Sequence, residues 1–205
     1  MMAHINEREK NNHMMIDIQS HIVEFRNGES GKHVFHMDKV IQLLLDKIVQ
    51  KTDKYPSLWQ ERILIRTASA LHDIGKIGIP DAILNKPGRL TDEEYAVMKT
   101  HVTRGGEILK DFTMIDNVSV GALYHHERYD GSGYCVGLKG EEIPLDARII
   151  GIADAFDAMT ANRVYRKQLD IDFVIGELKR CSGTQFDPKL VDILLSPVSY
   201  THLRA

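Results

Sequence analysis

Residues 147–161 read ARIIGIADAFDAMTA. The run is an otherwise apolar helix in which Ile149, Ile150, Ile152, Ala153 and Phe156 flank Asp154. A helix this apolar belongs in a core rather than on a surface. A carboxylate carried into such a place needs a partner, because stranding its charge away from water is expensive. Asp157 is its near neighbour and the alternative candidate for the exposed acid. Pro144 lies just upstream, where its fixed φ suits a first helical turn.

The pattern around this helix is also helical. From Ser30 to about Lys51, Val34, Val40, Ile41, Leu44, Leu45 and Ile48 recur at helix-like intervals. A second helix is expected from Ser57 through Ile63, Ile65, Ala68 and Leu71 to His72. Thr91 followed by Glu94 forms a capping box that opens a helix reaching about Leu109. Another runs from near Asp116 to His126–Glu127, and two more cover Ile171–Cys181 and Pro188–Leu195. The Pro- and Gly-punctuated IGIPDAILNKPGRL reads as an ordered connector. Strand signals are few, so the fold class is all-α, with room for a short hairpin around Tyr134–Ile143. Residues 1–20 are polar and aperiodic and read as a lead-in or linker, which leaves 21–195 as the domain. Residues 196–205, SPVSYTHLRA, lose the helical pattern and resemble translated adapter sequence, a non-native tail outside the fold.

A chain of 205 residues can bury a single sizeable core. Its net charge of -3 argues against coating DNA or RNA, which takes a basic face, but not against a small anion held by local cations. Two cysteines, Cys135 and Cys181, imply no disulfide framework and fit a reducing, cytoplasmic setting. No apolar run approaches the ~18–20 residues that span a bilayer.

His72-Asp73-Ile74-Gly75-Lys76 combines imidazole and carboxylate, the usual donors for Fe, Mn, Zn or Ni. Adjacent residues at a helix end point about 100° apart and can serve two cations. Alone, the pair is as easily a polar helix end. His101 reads as mid-helix, where a satisfied core histidine is the ordinary case. His125 and His126 stand side by side, and two buried imidazoles cannot both be charged cheaply, which favours a shared ligand. Glu29 and His33 are spaced i, i+4 on one helical face, with His36 able to replace His33. Asp130-Gly131-Ser132-Gly133-Tyr134 is a glycine-relieved turn where backbone can approach a ligand. The basic run Asn162–Lys167 carries Arg163 and Arg166, whose forks suit phosphate oxygens. An exposed turn and a cationic helix end are the plain alternatives for these last two.

Read in order, HDIGKIGIPDAILNKPGRLT, His101, HHERYDGSGY, ARIIGIADAFDAMTANRVYRK and SGTQFDPKLV resemble the HD-GYP family over roughly Glu29 to Leu195. These are metal-dependent phosphodiesterases of the wider HD superfamily, helical bundles that hydrolyse cyclic di-GMP. The resemblance implies that His33, His72, Asp73, His101, His125, His126 and Asp154 hold two divalent ions, iron or manganese, with Asp73 bridging. Glu29 matches the position that serves a third ion in some members. Lys76 matches a lysine beside the scissile phosphate, and Tyr134, Arg163 and Arg166 match substrate contacts. Asp73 and Lys76 are thus the expected catalytic pair, and Glu127 is expected to orient an imidazole.

The same resemblance implies cyclic di-GMP as substrate, with the linear dinucleotide pGpG and then GMP as products. It leaves open another cyclic dinucleotide such as cyclic GMP-AMP, and a sensor without catalysis. It further implies an upstream sensory or receiver domain, a diguanylate cyclase partner and a homodimer. One departure stands out. Where the family signature has Gly-Tyr-Pro, this chain has Gly133-Tyr134-Cys135, and losing the proline ring loosens the loop.

Overall fold

The computed structural model describes residues 2–27, 33–51, 58–111, 118–161 and 168–196. Ten α-helices appear among them: α1 (Met2–Arg26), α2 (His33–Lys51), α3 (Leu58–Leu71), α4 (Asp81–Leu84), α5 (Asp92–Lys99), α6 (His101–Leu109), α7 (Val118–Tyr124), α8 (Leu145–Thr160), α9 (Ile171–Arg180) and α10 (Pro188–Leu194). The described residues contain no strand, only an isolated Ser182–Phe186 bridge, so the all-α expectation holds.

The core forms where the apolar stripes meet. Met37, Ile41, Leu44, Leu45 and Ile48 are fully buried along one side of α2, at the 3–4 spacing of a single helical face. That face packs on α3, α8 and α10. Ile149, Ile150, Ile152 and Ala153 are fully buried on α8, which accounts for its nearly unbroken apolar character. Val174 and Leu178 of α9 and Leu190, Val191 and Leu194 of α10 join the same cluster. Cys181 is buried there as a small apolar residue. No described helix is long and apolar enough to cross a membrane.

Three sequence expectations change. The stretch from Thr91 to Leu109 is two helices rather than one. The capping box is present, with Thr91 Oγ1 accepting from the Glu94 amide and the Glu94 carboxylate accepting from the Thr91 amide. The helix then ends at Lys99, and α6 begins at His101 after Thr100 serves as the hinge between them.

The hairpin around Tyr134–Ile143 does not form. Its amides are taken by partners outside any ladder: Tyr134 N donates to His126 O, Val136 and Gly137 N to the Glu127 carboxylate, and Gly140 N to Tyr129 O. A short 3₁₀ turn at Gly140–Glu142 closes the loop. Finally, the polar opening of the chain lies within α1, whose inner side packs on α3 and on the 3₁₀ turn Ile74–Gly78.

Candidate metal centre

The helices deliver their histidines to one point. His72 follows the last residue of α3, and Asp73 caps the 3₁₀ turn Ile74–Gly78. His101 opens α6, His125 and His126 follow α7, and His33 opens α2. This convergence needs the 74–78 turn pressed onto α6. Gly75 permits it: a Cβ there would lie 1.9 Å from the His101 carbonyl oxygen and 2.4 Å from the Gly105 nitrogen. Gly133 plays the same part for the following loop, where a Cβ would lie 2.4 Å from the Arg128 nitrogen.

Each buried imidazole is held by its Nδ1. His72 Nδ1 donates to Ser69 O at 2.7 Å, His101 Nδ1 to Met98 O at 2.8 Å, and His125 Nδ1 to Gly121 O at 3.0 Å. A carbonyl can only accept, so each Nδ1 carries a proton and each Nε2 is the ring atom turned inward. His33 Nδ1 donates instead to Asp157 Oδ2 at 2.6 Å, and its Nε2 lies 3.7 Å from Asp154 Oδ1.

Two groups of donor atoms result, His33 with His72 and Asp73, and His101 with His125 and His126. Asp73 lies between them. Its Oδ2 is 3.2 Å from His72 Nε2, and its Oδ1 is 3.4 Å from His101 Nε2 and 3.9 Å from His125 Nε2. Lys76 Nζ donates to Asp73 Oδ2 at 2.6 Å.

Nε2 of His72, His101 and His125 and Oδ1 of Asp73 are buried without a hydrogen-bond partner. Orphaned buried polar atoms are costly, and these four converge. Nitrogen and carboxylate donors of this kind fit a first-row divalent cation. Cys135 belongs to neither group, and burial followed by the nearby Glu127 pushes its thiol up, away from the thiolate form.

Electrostatics divide the donors. Burial pushes His101, His125 and His126 below the ordinary imidazole value. For His125 the neighbouring His126 adds to this, and for His126, at about 3, His101 does. These rings are therefore neutral at pH 7. Burial also pushes down on His72, but the Asp73 carboxylate more than offsets it and holds the ring at about 9. Burial would raise Asp73, yet Lys76 and His72 keep it well below the usual carboxylate range.

The centre opens into a cleft of about 1270 Å³ lined by Lys76, His126, Tyr134 and Asp154 among others. Tyr134 stacks on His126, with ring centroids 4.8 Å apart and planes at 29°. The Asp130–Gly133 turn is tied to the 181–186 turn through Asp130 N to Thr184 O at 2.8 Å.

The structure thus gathers His33, His72, Asp73, His101, His125, His126, Asp154, Lys76 and Tyr134 around one cleft. Glu29, Arg163 and Arg166 lie outside the described residues. Three readings are corrected. Asp157 is the buried acid, its side chain 2% exposed against 25% for Asp154, because it accepts from His33 and faces His36 Nδ1 at 3.2 Å. His36 stands half-exposed beside that carboxylate and does not replace His33. Glu127 orients the loop rather than an imidazole, since its carboxylate accepts the amides of Val136 and Gly137. Asp157 was discoverable as the residue one helical turn beyond Asp154; nothing in the sequence marked Glu127 as a loop anchor.

Residues 18–190 match the family model described as an HD domain. The chain is 39% identical over 199 residues to a cyclic di-GMP phosphodiesterase response regulator, RpfG, of Xanthomonas campestris, covering 95% of this chain and 50% of that protein. It is 40% identical over 175 residues to 3'3'-cGAMP-specific phosphodiesterase 2 of Vibrio cholerae, covering 84% of this chain and 32% of that one. A crystal structure of a cyclic GMP-AMP-specific phosphodiesterase from Vibrio cholerae superposes with a TM-score of 0.65 at 20% identity, over 93% of this chain and 50% of the other. The chain therefore spans half or less of the length of these relatives.

Proposed function

The chain belongs to the HD domain family, and we propose that it is a metal-dependent phosphodiesterase of the HD-GYP kind that hydrolyses cyclic di-GMP to pGpG and then GMP. The observation that carries this reading is Asp73, whose two oxygens face separate donor groups in which the inward Nε2 atoms of His72, His101 and His125 have no partner. One divalent ion would be held by His101, His125 and His126 and a second by His33, His72 and Asp154, with Asp73 placed to serve either. Iron or manganese suits this mixed imidazole and carboxylate donor set. A third ion would use Glu29.

A metal pair held there would supply Lewis acidity for phosphodiester hydrolysis at neutral pH. The rest falls to the side chains. Asp73 stays ionised because Lys76 and His72 hold it so. Lys76 carries its ammonium to the edge of the centre, where it offsets charge gathering on the phosphate oxygens. Tyr134, flat against His126, presents an aromatic face to the substrate. Arg163 and Arg166 complete the anion contacts in this reading. Residues 21–195 form the catalytic domain, preceded by a sensory or receiver domain in the whole protein, with a diguanylate cyclase as partner and a homodimer as its assembly.

A second substrate has support of its own. Relatives named for cyclic di-GMP and for cyclic GMP-AMP stand at 39% and 40% identity, so likeness alone does not select the base. Purified protein loaded with Mn²⁺ or Fe²⁺ is expected to cleave cyclic di-GMP, and Asp73→Ala to lose both metal and turnover. Full metal occupancy with no turnover of either nucleotide would reject the enzyme reading, and tight binding without cleavage would replace it with a sensor.

A further inference from the structure

Helix α5 forms a firm wall beside the centre. Its start is fixed by the Thr91–Glu94 capping box, and Lys86 Nζ donates to both oxygens of Glu94 at 2.5 and 2.8 Å. Tyr95 and Lys99 are one turn apart on this helix and share a face. Tyr95 lines the cleft and is 48% exposed. The Lys99 ammonium lies 5.1 Å from the Tyr95 ring centroid and 5.9 Å from that of Tyr134, so one cation serves two aromatic faces. Tyr134 in turn is backed by His126.

We infer that Tyr95 and Lys99 join Tyr134 to hold one purine base of the substrate, and that Lys99 makes this subsite select guanine over adenine. The inference rests on the cyclic-dinucleotide reading above. Any base stacks on an aromatic face, so the tyrosines supply affinity without choosing. The ammonium supplies the choice. It carries three donors and no acceptor, which matches the O6 and N7 acceptors on the edge of guanine. Adenine keeps N7 but puts an amino donor where guanine has O6, and a second donor cannot be satisfied there. Lys99 stands beside the cleft rather than in its lining, and its flexible four-carbon stem lets the ammonium swing from the tyrosine faces to a base edge.

Equilibrium binding of cyclic di-GMP and cyclic di-AMP to the metal-loaded chain tests this apart from catalysis. Wild type is expected to favour the guanine ligand on the order of tenfold or more, the discrimination a good base-edge contact gives. Lys99→Met keeps the aliphatic stem, and should weaken cyclic di-GMP by about that factor while sparing cyclic di-AMP. Tyr95→Ala should weaken both alike. Equal effects of Lys99→Met on the two ligands, no effect on either, or absence of guanine preference in the wild type would overturn the proposal. Loss of the enzyme reading would appear differently, as guanine-selective binding with no turnover.

Discussion

His33 donates its Nδ1 proton to Asp157 Oδ2 at 2.6 Å, deep enough that the carboxylate is 2% exposed. A carboxylate in that position fixes the ring's tautomer and raises the basicity of the opposite nitrogen, which here points toward Asp154. Burial alone would push the His33 imidazole down, and the Asp157 hydrogen bond reverses the direction. Asp157→Asn keeps the shape and removes the charge. Metal affinity at the His33–His72–Asp73 group should fall by about 10–100-fold, with the His101–His125–His126 group retaining its ion. Metal content after graded chelator dialysis reads this directly; unchanged stoichiometry would show that Asp157 does not position His33.

Metal uptake should depend on pH through the His33–His72 side of the centre, where both imidazoles are raised. Without a cation, His72 holds its proton up to about 9, because Asp73 outweighs the effect of burial. His101, His125 and His126 are held below their ordinary value and are already neutral at pH 7. Binding beside His72 therefore expels a proton, and affinity climbs as pH rises toward about 9, by about tenfold per unit for one proton released. Titration of Mn²⁺ at pH 7 and 8, in buffers of different ionisation enthalpy, should show both the gain and the proton. A pH-independent affinity would place the ion away from His72.

The helices were legible because their apolar residues repeat at 3–4 spacing, as Met37 to Ile48 do on α2, and tertiary packing then used those faces unchanged. The histidines and Asp73 were legible as chemistry, but only folding brings His33 within reach of Asp154, far along the chain. What escaped the sequence depends on where hydrogen bonds go. The Thr100 hinge and the Glu127 carboxylate tying down Val136 and Gly137 carry no local signature. The false hairpin has the same origin, since loop amides were claimed by a side chain rather than a strand.

Arg26, the last residue of α1, ties that helix to the turn that carries Lys76. Its guanidinium donates to Lys76 O at 2.9 Å, Ile77 O at 2.5 Å and Ile79 O at 2.6 Å, and pairs with Asp81 at 2.9 Å. A lysine's single ammonium cannot span acceptors reached from the separate Nε, Nη1 and Nη2 atoms of Arg26. Arg26→Lys should lower stability by about 1–3 kcal/mol, after allowing for the partial exposure of the group. Urea unfolding measures the loss, and hydrogen exchange should quicken in the amides of the 74–79 segment. Native exchange there would mean that the latch does not restrain the turn.

Gly75→Ala gives the sharpest test of how the centre is assembled. The added methyl would meet the His101 carbonyl at 1.9 Å and the Gly105 nitrogen at 2.4 Å. Both are backbone atoms of α6, so no rotamer change relieves the contact, and the turn must lift away. Asp73 and Lys76 flank Gly75 and would move with it, separating the Asp73 carboxylate from His101. The expected cost is about 1–3 kcal/mol of stability from overpacking, with loss of bound metal out of proportion to the unfolding. Gly176→Ala is the matched control. It lies on the exposed face of α9 with nothing within 4 Å of the new methyl, and should stabilise by about 0.5–1 kcal/mol through helix propensity. Thermal melts and metal analysis on the pair separate the two effects: if Gly75→Ala melts and binds metal like wild type, the close approach of the turn to α6 is not what holds Asp73 in place.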